Sequence, residues 1–127
     1  MYKELIIISV VIILIVGLDI VTGNYTKESV EVISKGLSEL RGYIQEENKE
    51  KAKNKMEEIK EKWEERYKVL AFYIEHDELE KIETELTGLE ADISIDEYKN
   101  CVSGIDTTIF ILEHIKEKEE FHLRSIF

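Results

Sequence analysis

His76, Asp77 and Glu78 stand in one short polar segment, and Glu113 and His114 in another. Imidazole suits zinc, copper or nickel and titrates near neutral pH, so the two segments brought together would make a transition-metal site or a pH-sensitive contact. His76, Asp77 and His114 are the candidate ligands. Each histidine also has a plainer use. His114 near the C-terminus of a helix complements the dipole there, and His76 is an ordinary turn residue. His122 falls in a tail that no pattern places. Ser103 and His114 supply two residue types of a nucleophilic triad without its third member. Carboxylates are abundant enough for pairs of them to arise by chance. Trp63, Tyr67, Phe72 and Tyr73 resemble an aromatic box only until spacing is considered, since Trp63 and Tyr67 are four apart on an apolar stripe and read as core. Cys101 is the single cysteine, which excludes an internal disulfide. It occupies an apolar helical position, where a buried inert thiol is the ordinary case and pairing between chains the alternative. No nucleotide-binding loop and no metal-ligand spacing occurs. These residues therefore predict a chain that is not an enzyme and holds no cofactor.

The elements that must position these residues are helical. The 127 residues include no proline and six glycines, 35% are charged, and apolar residues recur at steps of three and four. Thr26 is a candidate N-cap for a helix near 26–46 carrying Val30, Ile33, Leu37, Leu40 and Ile44. Asn48 can cap a second, near 49–75, with Ala52, Met56, Ile59, Trp63, Tyr67, Leu70 and Ile74 on its inner stripe. Asp77 and Glu80 read as a capping box for a third, near 77–93, with Leu79, Ile82, Leu86, Leu89 and Ile93. Asp96 is a candidate cap for a fourth, near 96–116, whose inner face holds Tyr98, Cys101, Val102, Ile105, Ile109, Leu112 and Ile115. Beyond the charged Lys116 to Glu120, the apolar Leu123, Ile126 and Phe127 are candidate interaction residues.

Shifting the chain by 49 residues lays the first pair of stripes on the second, with coincident breaks at 46–48 and 94–96. This reads as a duplicated helical hairpin, although 49 is seven heptads and would align any two heptad stripes. Short connections make antiparallel neighbours. The expected fold is all-α: an N-terminal transmembrane helix followed by an antiparallel up-down four-helix bundle. In that topology the 76–78 segment and the end of the fourth helix return to the end where the first began.

The first 23 residues form the expected anchor. Leu5 to Leu18 is uncharged, Asp19 follows, and Tyr2 and Tyr25 flank the run. A bilayer core takes about 20 apolar residues in a helix, which Met1 to Val21 reaches with Lys3, Glu4 and Asp19 near its ends. A cleaved secretory signal cut after Gly23 is the competing reading, with Val-Thr-Gly a poor cleavage pattern. Lys3 and the amino terminus favour an inside N-terminus, placing residues 24–127 outside the cytoplasm. The formal net charge of -11, of which residues 76–96 carry -7, argues against nucleic acid and anionic headgroups as partners.

Several segments together carry a resemblance: the apolar anchor, Glu-Lys-Trp-Glu at 61–64, His-Asp-Glu at 76–78, Leu-Glu-His-Ile at 112–115 and the closing Ser-Ile-Phe at 125–127. In these the chain resembles a family of small membrane-anchored proteins of spore-forming Gram-positive bacteria, catalogued as a domain of unknown function. The resemblance implies location and architecture and transfers no catalytic residue. Lys116 stands where the family pattern is expected to show proline, which leaves the end of the fourth helix less sharply defined. The expected function is a membrane-tethered, non-enzymatic interaction or scaffolding module on the outer face of the cytoplasmic membrane, with another membrane protein or a second copy as partner. The alternative is a sensory or ligand-binding ectodomain using the bundle end near His76 and His114.

Overall fold

A computed structural model describes residues 1–126, apart from the side chains of His122, Leu123, Ser125 and Ile126. Among these residues the chain forms four helices: α1 (Tyr2–Gln45), α2 (Lys49–Leu70), α3 (His76–Ser94) and α4 (Tyr98–Ile126). α1 packs on α2 and α4, and α3 on α2 and α4, so the four make a square in which each helix touches its two neighbours. The expected apolar stripes line its axis. Ile33, Leu37 and Leu40 of α1, Ala52 and Ile59 of α2, Leu79, Ile82 and Leu89 of α3, and Cys101 and Ile105 of α4 are all essentially inaccessible to solvent. Cys101 is a free, buried thiol, and burial pushes it up to about 11. Gly36 lets α1 approach α2 closely, because a Cβ there would lie 2.9 Å from Ile59 Cγ1.

Element boundaries differ from the sequence expectation at several places. The anchor and the first bundle helix are one unbroken helix, and Thr26 caps nothing. No proline or exposed turn interrupts residues 20–28, and the Thr26 hydroxyl donates back to the Thr22 carbonyl at 2.9 Å, the usual satisfaction of a mid-helix threonine. α2 stops at Leu70, short of the expected end at Glu75, because Phe72 and Tyr73 bond three residues back, tightening the chain into a turn that tucks Ile74 under the core. The Asp77 to Glu80 capping box does not form. Glu75 occupies the N-cap position of α3 without a side-chain bond, and Asp77 and Glu78 instead place negative charge in the first turn. Asp96 does not cap α4 either; its φ is 60°, and its carboxylate accepts from Tyr98 Oη at 3.0 Å and pairs with Lys49 at 3.2 Å. With no proline at Lys116, α4 runs on to Ile126. Asn48 does cap α2, accepting from the Lys51 amide at 3.2 Å.

The two hairpins share one turn geometry at the 49-residue offset. Asn48 N–H donates to Tyr43 C=O and Glu47 N–H to Ile44 C=O; Glu97 N–H donates to Asp92 C=O and Asp96 N–H to Ile93 C=O. Each set is a Schellman closure around a left-handed residue, Glu47 at φ 58° and Asp96 at φ 60°. A heptad coincidence aligns stripes but does not produce matching turns, so the repeat is structural.

Candidate functional site at the base of the bundle

The end of the bundle next to the apolar segment, its base, is built from α1 around Thr22, the turn 71–75, the start of α3 and the last turns of α4. Thr22 and Thr26 continue the α1 stripe of Val30 and Ile33 toward the N-terminus at helical spacing, with small polar residues replacing apolar ones. This polar continuation meets the turn after α2. Tyr73 Oη donates to the Thr22 carbonyl at 3.1 Å and lies 2.8 Å from Thr26 Oγ1, and Thr26 is buried. Burial raises the Tyr73 phenol above its ordinary range, against the opposing effect of its hydrogen bond with Thr26. Beside it, the Arg66 guanidinium lies 5.0 Å over the Tyr25 ring, contacts Ser29 Oγ at 3.5 Å and pairs with Glu28 at 3.3 Å. These contacts lock the stretch of α1 just beyond the apolar run to α2.

On the other side, Lys118 of α4 bonds Glu78 at 3.0 Å and lies 3.9 Å from Glu75. The hydrogen bond to Glu78 is the main reason the Lys118 ammonium is held above its ordinary range. An open groove of about 430 Å³ runs between these parts, lined by Asp19, Thr22, Tyr73, Glu78, Lys118 and Phe121 among others. A second open groove of about 590 Å³ lies between α3 and α4, with Asp77, Glu80 and Glu85 on its wall. Ser103 and His114 are eleven residues apart on one helix, about 16 Å along its axis, so they cannot act together.

The expected convergence of the histidine segments holds at the level of elements. The Lys118 contacts bring the start of α3 and the end of α4 to one level of the bundle. His76 nevertheless turns to its own helix, with Nε2 3.8 Å from Glu80, and is largely exposed; His114 is exposed on α4, and neighbouring Glu113 pairs with Lys116 at 3.7 Å. Among the described residues no three His, Cys, Asp or Glu side chains come together to hold a metal ion. Of the interaction candidates, Leu123 and Ile126 have side chains outside the described residues, and Phe127 lies outside them altogether. Thr22, Thr26, Tyr73 and Lys118 were not among the expected site residues. The threonine continuation of the α1 stripe was the signal that could have found the first two.

The apolar run itself is uncovered. Leu5, Ile6, Ile7, Ile13, Leu14 and Leu18 each expose more than 60% of their surface, and the most apolar window of α1 has a mean hydropathy of 3.0 with none of it buried. By length and composition this one helix is able to cross a membrane. No curated protein and no solved structure matches the chain. A family model described as Domain of unknown function (DUF4363) matches residues 20–126, beginning where the apolar run ends, and the chain belongs to that family.

Proposed function

We propose that this chain is a membrane-tethered, non-enzymatic interaction module, with residues 1–21 spanning the bilayer and the bundle standing on its outer face. The observation that carries the reading is the single 44-residue α1, bare and apolar for its first part and core-forming for the rest. At 1.5 Å per residue it is about 66 Å long, enough to span about 30 Å of hydrocarbon and still supply a full bundle helix. Retention of the segment is supported by the position of Gly23, within a packed helical stretch between Thr22 and Thr26, both bound to Tyr73. A cut after Gly23 would remove the carbonyl that Tyr73 uses. Lys3 supports an inside N-terminus. A partner in the same bilayer, or a second copy, is the interaction class that such a tether suits, and the motif resemblance supports a spore-forming Gram-positive source.

Membrane fractionation with mass measurement of the mature N-terminus tests the tether. An intact N-terminus in the membrane fraction is expected, whereas a new start near Asn24 in the soluble fraction refutes it. Cross-linking in membranes tests the role. Recovery of a defined membrane-protein partner or a cross-linked dimer is expected, and recovery of neither across repeated preparations overturns the interaction reading.

A further inference from the structure

We infer that the base of the bundle seats in the interfacial layer of the bilayer, with Phe72 on the turn 71–74 and Phe121 near the end of α4 as its contacts. The inference rests on the tether proposed above and adds a lipid-binding surface to it. Three observations place it. First, the Tyr73 bonds to Thr22 and Thr26 fix the height of the turn at the end of the apolar run, one residue beyond Val21. Phe72 therefore lies within about one helical turn of the hydrocarbon edge, and it is 90% exposed. Second, the Lys118 bonds to Glu75 and Glu78 set the register of α4 against the floor of α3. Residues 119–126 are still helical, so α4 overhangs that floor by about 12 Å toward the apolar run. Third, the overhang carries Phe121, 73% exposed, on the wall of the groove that also contains Asp19.

Two bare phenylalanines from different elements at the level where a transmembrane run ends match the position that amphipathic and aromatic side chains take at a membrane interface. A protein partner would have to reach this surface between the bundle and the bilayer, whereas lipid is continuous with the span that ends beside it. The charges along the groove are mostly acidic, Asp19, Glu75, Glu78 and Glu119, with Lys118 engaged by two of them, and Lys68 and Arg124 add one basic side chain each at the ends of α2 and α4. Seating is therefore driven by apolar burial, and it proceeds on zwitterionic phosphatidylcholine without anionic lipid.

Tryptophan quenching in phosphatidylcholine vesicles tests this with the full-length chain. Phe72→Trp and Phe121→Trp alter exposed positions, and native Trp63, only 4% exposed in the core, provides the background to subtract. Ile12→Trp reports the span independently. With bromine near the headgroups, the emission added by F72W and by F121W is expected to fall to about half, and to fall less with bromine near the bilayer centre. I12W is expected to show the opposite order. If I12W is quenched while F72W and F121W are not, the bundle stands clear of the membrane and the seating inference is overturned with the tether intact. If I12W is not quenched by either lipid, the tether fails and the seating fails with it.

Discussion

Tyr73 joins the turn after α2 to two positions of α1 through one hydroxyl. Its oxygen lies within bonding distance of Thr26 Oγ1 and of the Thr22 carbonyl, to which the Thr26 hydroxyl also donates. Two hydroxyl hydrogens serve three contacts, so removing one group leaves the others able to re-pair. Tyr73→Phe and Thr26→Val are each expected to cost about 1 kcal/mol, the usual net worth of a partly buried hydrogen bond. The double variant is expected to lose more than the sum, because it leaves no hydroxyl to re-pair with the Thr22 carbonyl, and a double-mutant cycle by denaturant unfolding would measure this. Additive losses would show that the two hydroxyls act separately. None of this was legible in the chain, because Thr26 and Tyr73 are 47 residues apart and nothing in local spacing distinguishes a threonine that bonds a distant tyrosine from one that caps a helix. The placement of the histidine side chains was not legible for a related reason. The fold set their elements at one level, but rotation about each helix axis turned His76 toward Glu80 and left His114 in solvent.

At the scale of elements, both hairpin turns place a non-glycine residue in the left-handed region. An L-residue with a Cβ is disfavoured there by roughly 1–2 kcal/mol, whereas glycine enters it freely. Among the described residues Glu47 has no ion pair or side-chain hydrogen bond that would offset this, so Glu47→Gly is expected to stabilise the fold by about 0.5–1 kcal/mol, read as a rise in the unfolding midpoint. Asp96→Gly is expected to gain less, since it also loses the Lys49 and Tyr98 contacts. The α1 to α2 contact carries a charge network as well: Lys55 of α2 reaches Glu39 of α1 at 2.7 Å and Glu58 at 2.9 Å, and Lys62 reaches Glu58 at 2.8 Å. Hydrogen bonds first from Lys62 and then from Lys55 hold the Glu58 carboxyl at about 2, below its ordinary 4.5. A carboxyl depressed on folding contributes above its unfolded value and loses that contribution as pH falls through the folded one. Glu58 therefore favours the fold at neutral pH, and its contribution fades between pH 4.5 and 2. Comparing melting temperatures of the wild type and Glu58→Gln across that window should show the gap between them closing as pH falls; a constant gap would exclude a titrating role. The exposed position of Glu58 keeps the effect small.

For the whole molecule, the continuity of α1 decides how the bundle and the apolar segment move together. A helix broken at Gly23 would let the bundle swing on its tether, whereas one unbroken from Tyr2 to Gln45 and pinned by Tyr73 and Arg66 makes the two a rigid body. Amide hydrogen exchange in detergent micelles measures the difference. The amides of Asn24 and Tyr25 are expected to be protected nearly as well as those of Leu37 and Leu40, and fast exchange confined to 23–25 would show a hinge. Rigidity also gives the seating inference its force, because only a bundle that cannot tilt freely holds Phe72 and Phe121 at a set depth.

Helical periodicity by itself determined the four apolar stripes of the bundle and the inward face of each, because amphipathic spacing reports which side of a helix avoids water; that the 49-residue offset is a structural repeat was decided by the matching turns. Periodicity also marked residues 5–18 as a run with no polar face. Tertiary structure decided where helices end and what meets at the base. Thr26, Asp77 and Asp96 have the right residue types for caps, but a cap forms only where the chain changes direction. That change is set by how Ile74 tucks under the core, by the left-handed closure at Asp96 and by the contacts that carry α1 straight through Thr26. The base, with Tyr73 on Thr22 and Lys118 between Glu75 and Glu78, exists because antiparallel packing brings together residues tens of positions apart, and the short-range pattern of a sequence records no such distance.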